Sequence, residues 1–163
     1  MLEKGFHAVG LNEILAAVNV PKGSFYHHFK SKEEFGVELL QHYTATGTEY
    51  QRKILLSPVP EADPMQRLMT FFENNVSKYC ESEGKCPCLA LKLASEVSNF
   101  SDAMRNVLAK SCADTIETLA AVVREGIGKG KVNPEVKPDE VAALIFDLWT
   151  GASLRAASER STA

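Results

Sequence analysis

Val20-Pro21-Lys22-Gly23-Ser24-Phe25-Tyr26-His27-His28-Phe29-Lys30-Ser31-Lys32 is the stretch on which the fold of this 163-residue chain turns. Wound as an α-helix over 21–29, it places the i,i+4 pair Phe25 and Phe29 on one side and Gly23, Ser24 and His27 on the other. Lys22 and Tyr26 lie on one flank and His28 on the other, and all three side chains donate hydrogen bonds that phosphate oxygens accept. The thirteen residues hold three lysines, two histidines and no carboxylate, so the local field suits a polyanion.

Immediately upstream, Leu11, Ile14, Leu15 and Val18 follow the i, i+3, i+4, i+7 pattern of an amphipathic helix, with Glu13 pointing away. That helix is expected to end at Asn19, which tolerates the left-handed backbone of a tight turn. Pro21 suits the start of the next helix, because the donor it lacks would be orphaned there anyway. Helix, tight turn and second helix make a helix-turn-helix unit. Met1 to Gly10 reads as a tail and a loop, too short for a supporting helix. Downstream, Ser31 reads as the cap of a long helix from Lys32 to about Leu55, with Glu33 and Glu34 in its first turn and Phe35, Leu39, Leu40 and Tyr43 as its apolar stripe.

Ser57 to Pro64 carries three prolines and no periodicity, so it reads as a linker or loop. Asp63-Pro64 then starts a helix to Cys80 with Met65, Leu68, Met69, Phe72, Val76 and Tyr79 as its stripe, followed by a polar loop over Glu81 to Lys85. A short, mostly buried helix follows Pro87, and Ser101-Asp102 caps a long one to about Gly128. Gly128, Gly130 and Asn133-Pro134 break the chain before Pro138-Asp139 opens the last helix, whose mixture of bulky and small apolar residues suits either a monomer core or a protein–protein face. The fold class is therefore all-α: a small N-terminal helix-turn-helix domain over 1–45 and a larger helical domain over 46–163.

A net charge of −3 and a pI near 5.8 exclude a uniformly basic coat, so any contact with nucleic acid is local to the opening stretch. No run approaches the ~20 apolar residues that cross a bilayer, and the N-terminus lacks the apolar core of a signal peptide, so a cytoplasmic protein with no membrane partner is expected. Cys80, Cys86, Cys88 and Cys112 are accordingly expected to be reduced. Their spacing is not that of a zinc site, and neither a metal nor a cofactor is expected.

Cys86-Pro87-Cys88 stands at the entry to the short helix, with Lys85 before it and Lys92 one turn on. Helix N-termini and ammonium groups lower a thiol's pKa, which makes Cys88, with Cys86, a candidate sensor of electrophiles; the alternative is a buried small apolar residue. Phe72, Tyr79, Met104 and Trp149 are candidates for a ligand pocket, though each reads as core before it reads as a ligand contact. No nucleophile–base motif or carboxylate pair points to an enzyme. The other readings of the chain are a thiol-based redox protein, which lacks the usual β-α-β context, and a helical adaptor that does not bind DNA.

Gly5-Phe6, Leu11 to Val20, and Lys22 to Phe35 together closely resemble the DNA-binding domain of the TetR family of bacterial transcriptional repressors. The order of later helices is similar to that family's ligand-binding and dimerisation domain. A weaker likeness, over Cys88 to Val97 and Leu148 to Ala152, is to its electrophile-sensing subgroup that controls reductases for reactive compounds. The resemblance implies a homodimer on a palindromic double-stranded DNA operator, released by a small-molecule or electrophile effector. It implies that Lys22, Gly23, Ser24 and His27 approach base edges and that Tyr26, His28 and Lys32 hold phosphates. Family members carry a further helix before the Gly-Phe pair and another after the equivalent of Leu154, so this sequence is expected to be part of a longer protein.

Overall fold

The computed structural model describes residues 4–56, 63–81 and 88–159. Among these residues the chain forms helices and no strand: α1 Gly5–Ala8, α2 Leu11–Ala17, α3 Lys22–His28, α4 Lys32–Leu55, α5 Pro64–Glu81, α6 Leu89–Val97, α7 Asp102–Gly128 and α8 Pro138–Glu159. It divides into two compact units, Met1–Ala45 with Cys88–Ala109 and Thr46–Pro87 with Lys110–Ala163. The first unit thus takes in α6 and the start of α7, which the sequence reading assigned to the larger domain.

Helices of seven residues are marginal by themselves in water, so α2 and α3 need tertiary support. Three phenylalanines supply it. Phe25 lies 5.2 Å from Phe29 and 5.7 Å from Phe35, centre to centre, and Phe29 lies 5.3 Å from Phe35, which ties α3 to the first turn of α4. The turn between α2 and α3 is closed by its own backbone: Asn19 sits at φ 52°, its N–H donates to the Ala16 carbonyl, and the Val20 N–H donates to the Leu15 carbonyl at 3.0 Å. The α3 helix spans Lys22–His28 rather than 21–29, with Pro21 and Phe29 as its caps.

The start of α4 is sharply defined. The Glu34 N–H donates to Ser31 Oγ at 3.0 Å, and the Glu34 carboxylate reaches back to accept the Lys30 N–H, a reciprocal cap of the kind that fixes helix starts. Inward from there, Leu40 packs with Phe6, Leu89, Leu93, Val97, Met104 and Leu108 into the core of the first unit. The segment before α2 is not the plain loop expected: Gly5–Ala8 makes one helical turn, and Phe6 enters this core at 4% exposure.

In the second unit, Leu55, Phe71, Leu119, Ala120, Val122 and Ala142 form the core. The inward side of α5 is rotated from the expected stripe: Phe71 and Arg67 are buried, whereas Met69 and Val76 are exposed. The Arg67 guanidinium pairs with the Glu125 carboxylate, a demand on burial that an apolar count does not register. At the end of α7, the Gly130 N–H donates to Ile127 and the Lys131 N–H to Gly126, a left-handed stop with Gly130 at φ 66°. The expected polar loop over Glu81 to Lys85 lies, apart from Glu81, outside the described residues.

Candidate nucleic-acid interface

Because Phe25 is the only residue of α3 turned fully inward, the rest of the helix is bare. Lys22, Gly23, Ser24, Tyr26, His27 and His28 are all exposed. Among the described residues none of their side chains is held by an ion pair or an internal hydrogen bond; the Lys22 ammonium stands 6.0 Å from the Tyr26 ring, and the His27 and His28 rings lie 5.1 Å apart. A Cβ built on Gly23 meets nothing within 4 Å, so none of the described residues calls for glycine there.

Lys32 stands apart from the other six DNA-contact candidates. It is half-buried, its ammonium donates to the Phe6 carbonyl, and it lies 4.6 Å from the centre of the Phe6 ring. The last carbonyls of a helix have no partner within it, and in a helix of one turn the Lys32 ammonium satisfies that of Phe6. Sequence reasoning also missed Glu96. Its carboxylate accepts the Phe6 N–H at 3.0 Å and the His7 N–H at 2.6 Å, capping α1 from α6. Burial pushes the Glu96 carboxyl up, but the bonds from His7 and Phe6, with the nearby His7 and Lys32, outweigh it and hold the group below its usual value. The one signal for this contact was a lone carboxylate in a short helix whose only other polar residues are Lys92 and Ser95.

Cys88 is the N-cap of α6: its Sγ accepts the Leu91 N–H at 3.5 Å, and the residue is half-buried. Lys92 lies one turn on, also half-buried. Cys86 and Lys85, the other members of the expected sensor, lie outside the described residues.

The four pocket candidates divide between the two units, Phe72, Tyr79 and Trp149 in the second and Met104 in the first. The rings of Phe72 and Trp149 are in contact at 5.2 Å, and Phe72 lines an open apolar hollow of about 500 Å³ along α5 with Leu68, Met69 and Val76. Tyr79 is instead buried, its hydroxyl donating to the Ser153 carbonyl at 3.3 Å, and Met104 is fully buried in the core of the first unit. The reason is general: a position on an apolar stripe marks a side chain for burial and is silent on whether a cavity lies beside it.

An all-α chain opening on a helix-turn-helix with one bare, basic helix face belongs structurally to the DNA-binding regulators. Residues 1–39 match the family model described as bacterial regulatory proteins, tetR family, and residues 64–163 match the tetracyclin repressor-like C-terminal domain. The chain belongs to the TetR family of transcriptional regulators. It is 34% identical over 161 residues to the HTH-type transcriptional repressor NemR of Escherichia coli, covering 98% of this chain and 79% of NemR. The structure of the reduced form of E. coli NemR superposes with a TM-score of 0.85 at 32% identity, covering 99% of this chain and 82% of that one. The regulatory protein TetR from Rhodobacter sphaeroides superposes with a TM-score of 0.87 at 31% identity, covering 98% and 83%.

Proposed function

We propose that this protein is a dimeric repressor that reads a palindromic operator with α3 in successive major grooves and leaves it when an effector acts on the larger domain or on Cys88. The observation that carries the reading is the state of α3: six exposed residues, small or hydrogen-bonding, whose side chains make no ion pair or hydrogen bond among the described residues, with open space over Gly23. Lys22, Ser24 and His27 serve as base readers, Gly23 lets the helix backbone approach the groove, and Tyr26 and His28 donate to phosphates. Lys32, committed to Phe6, acts on phosphate position through the turn it holds.

A two-fold dimer matches a palindrome, and α8 offers a face for it. Leu144 and Leu148 are 58% and 64% exposed, and Gly151 and Ala152 continue the same side one turn on. For release, the half-buried thiol at the N-cap of α6 supports a sensing role: an adduct on Cys88 removes the cap on Leu91 and adds bulk at the start of α6, whose next residue, Leu89, is buried.

Selection of duplexes from a random library tests the central claim. A two-fold symmetric site is expected, with affinity falling steeply as salt rises, and with base preference relaxed at one position per half-site in Lys22→Ala. Failure to enrich any duplex overturns the reading. For the thiol, N-ethylmaleimide is expected to release the selected duplex from wild type and not from Cys88→Ser; equal release from both removes Cys88 from the mechanism.

A further inference from the structure

The geometry points to Glu96 as the positioning residue of the reading head, its carboxylate seated in a backbone nest at Gly5–His7 so that α6 sets the placement of α2 and α3. Gly5 has φ 82°, a left-handed conformation that L side chains rarely adopt, and a Cβ there would stand 2.6 Å from Glu96 Oε2. Both facts demand glycine. The conformation turns the successive N–H groups of Phe6 and His7 toward one point, and the carboxylate occupies it with two charge-assisted hydrogen bonds.

The far side of the same turn is closed as firmly. Lys32, at the first position of α4, donates to the Phe6 carbonyl, so one turn of helix is gripped by a carboxylate from α6 and an ammonium from α4. The Phe6 ring stacks on Phe100 at 5.8 Å and the His7 ring lies 4.1 Å from the same side chain, just beyond the end of α6. From Lys32 the connection is short: three residues on, Phe35 meets Phe25 and Phe29 of the reading helix. Cys88 caps the opposite end of α6, so the helix that carries the anchor also carries the thiol. Two reading helices engage adjacent grooves only when both are held at the operator spacing, and a loosened joint leaves each helix-turn-helix intact while its placement is lost.

This inference rests on the proposed operator binding, and the test separates the two. The full chain and its Glu96→Ala, Glu96→Gln, Glu96→Asp and Gly5→Ala variants are titrated by fluorescence anisotropy against the duplex that wild type enriches. Measurements are made at a temperature where circular dichroism shows every variant fully folded. Expected are at least tenfold weaker binding for Glu96→Ala and Glu96→Gln and partial recovery with Glu96→Asp. The Gly5→Ala, Glu96→Ala double variant should bind no worse than the weaker single one, because both changes empty the same nest. A fully folded Glu96→Ala protein that binds like wild type overturns the positioning role and leaves operator binding standing. Additive losses in the double variant overturn it too, since they separate Glu96 from the turn. A wild-type chain that enriches no duplex removes the operator reading and this inference with it.

Discussion

Gly36 lies against the ring of Phe6: a Cβ on Gly36 would stand 2.5 Å from Phe6 Cε2 and 3.0 Å from the terminal methyl of Met104. Two opposed effects then decide the outcome of Gly36→Ala. Alanine favours an interior helical position by ~1 kcal/mol, while overpacking a filled core costs about 1–3 kcal/mol. The ring is rigid and buried at 4% exposure, so it has nowhere to move and overpacking wins. Urea denaturation should show Gly36→Ala to be less stable than wild type by roughly 1–2 kcal/mol, and a gain in stability would contradict the packing described.

Gly23→Ala should behave in the opposite way. Its Cβ meets open space, so helix propensity acts alone and the chain is expected to gain up to ~1 kcal/mol in the same denaturation experiment. Operator affinity should nevertheless fall at least tenfold, because the added methyl group lies between the helix and the base edges. Stability and binding moving in opposite directions mark a glycine kept for a partner; unchanged affinity would remove Gly23 from the interface.

At Asn19 the left-handed φ of 52° makes the outcome depend on the replacement. Asn19→Gly should be neutral or slightly stabilising, whereas Asn19→Val should cost about 1–2 kcal/mol by forcing a β-branched residue into the same conformation. Thermal melts of the two variants check this. Equal melting temperatures would mean that the turn relaxes out of the left-handed region.

Acid stability tests the second unit. The Lys129 side chain, at 2.9 Å, and then Arg67 hold the Glu125 carboxyl below its ordinary value of 4.5. A carboxyl depressed in the folded chain contributes stability that is fully present above its unfolded value. That contribution is lost as pH falls from about 4.5 through the lower folded value. Glu125→Gln is therefore expected to lower stability at pH 7 and to flatten its decline below pH 4.5, followed by urea midpoints across that range. A parallel decline in both proteins would assign the acid limb to other carboxylates, with Glu96 and Asp63, both also depressed, next in line.

Much of this architecture was legible because it rests on local rules. Ser31 and Ser101 cap their helices as their positions require, at 3.0 and 3.2 Å. Asn19 takes the left-handed turn and Pro138 begins the last helix. The bare face of α3 follows from the same helical spacing that buries Phe25. The misses share a different cause. Lys32 reads as a phosphate-holding cation and is held by Phe6, 26 residues away; Glu96, which no local pattern singled out, meets Phe6 across 90 residues. Phe71 and Arg67 are buried where Met69 and Val76 were expected, and Arg67 meets Glu125 there from 58 residues away.

The sequence by itself determined the helices from α2 onward, most of their ends, the helix-turn-helix and the chemistry of its exposed face. Each of these depends on neighbours within one or two turns, which a linear pattern records. Only the tertiary structure decided what that face is mounted on: a single turn at Gly5–Ala8 gripped between Glu96 and Lys32, and a first unit completed by α6 and the start of α7. Those contacts join residues far apart in the chain. They form between a carboxylate, an ammonium and backbone groups, none of which leaves a period in the sequence.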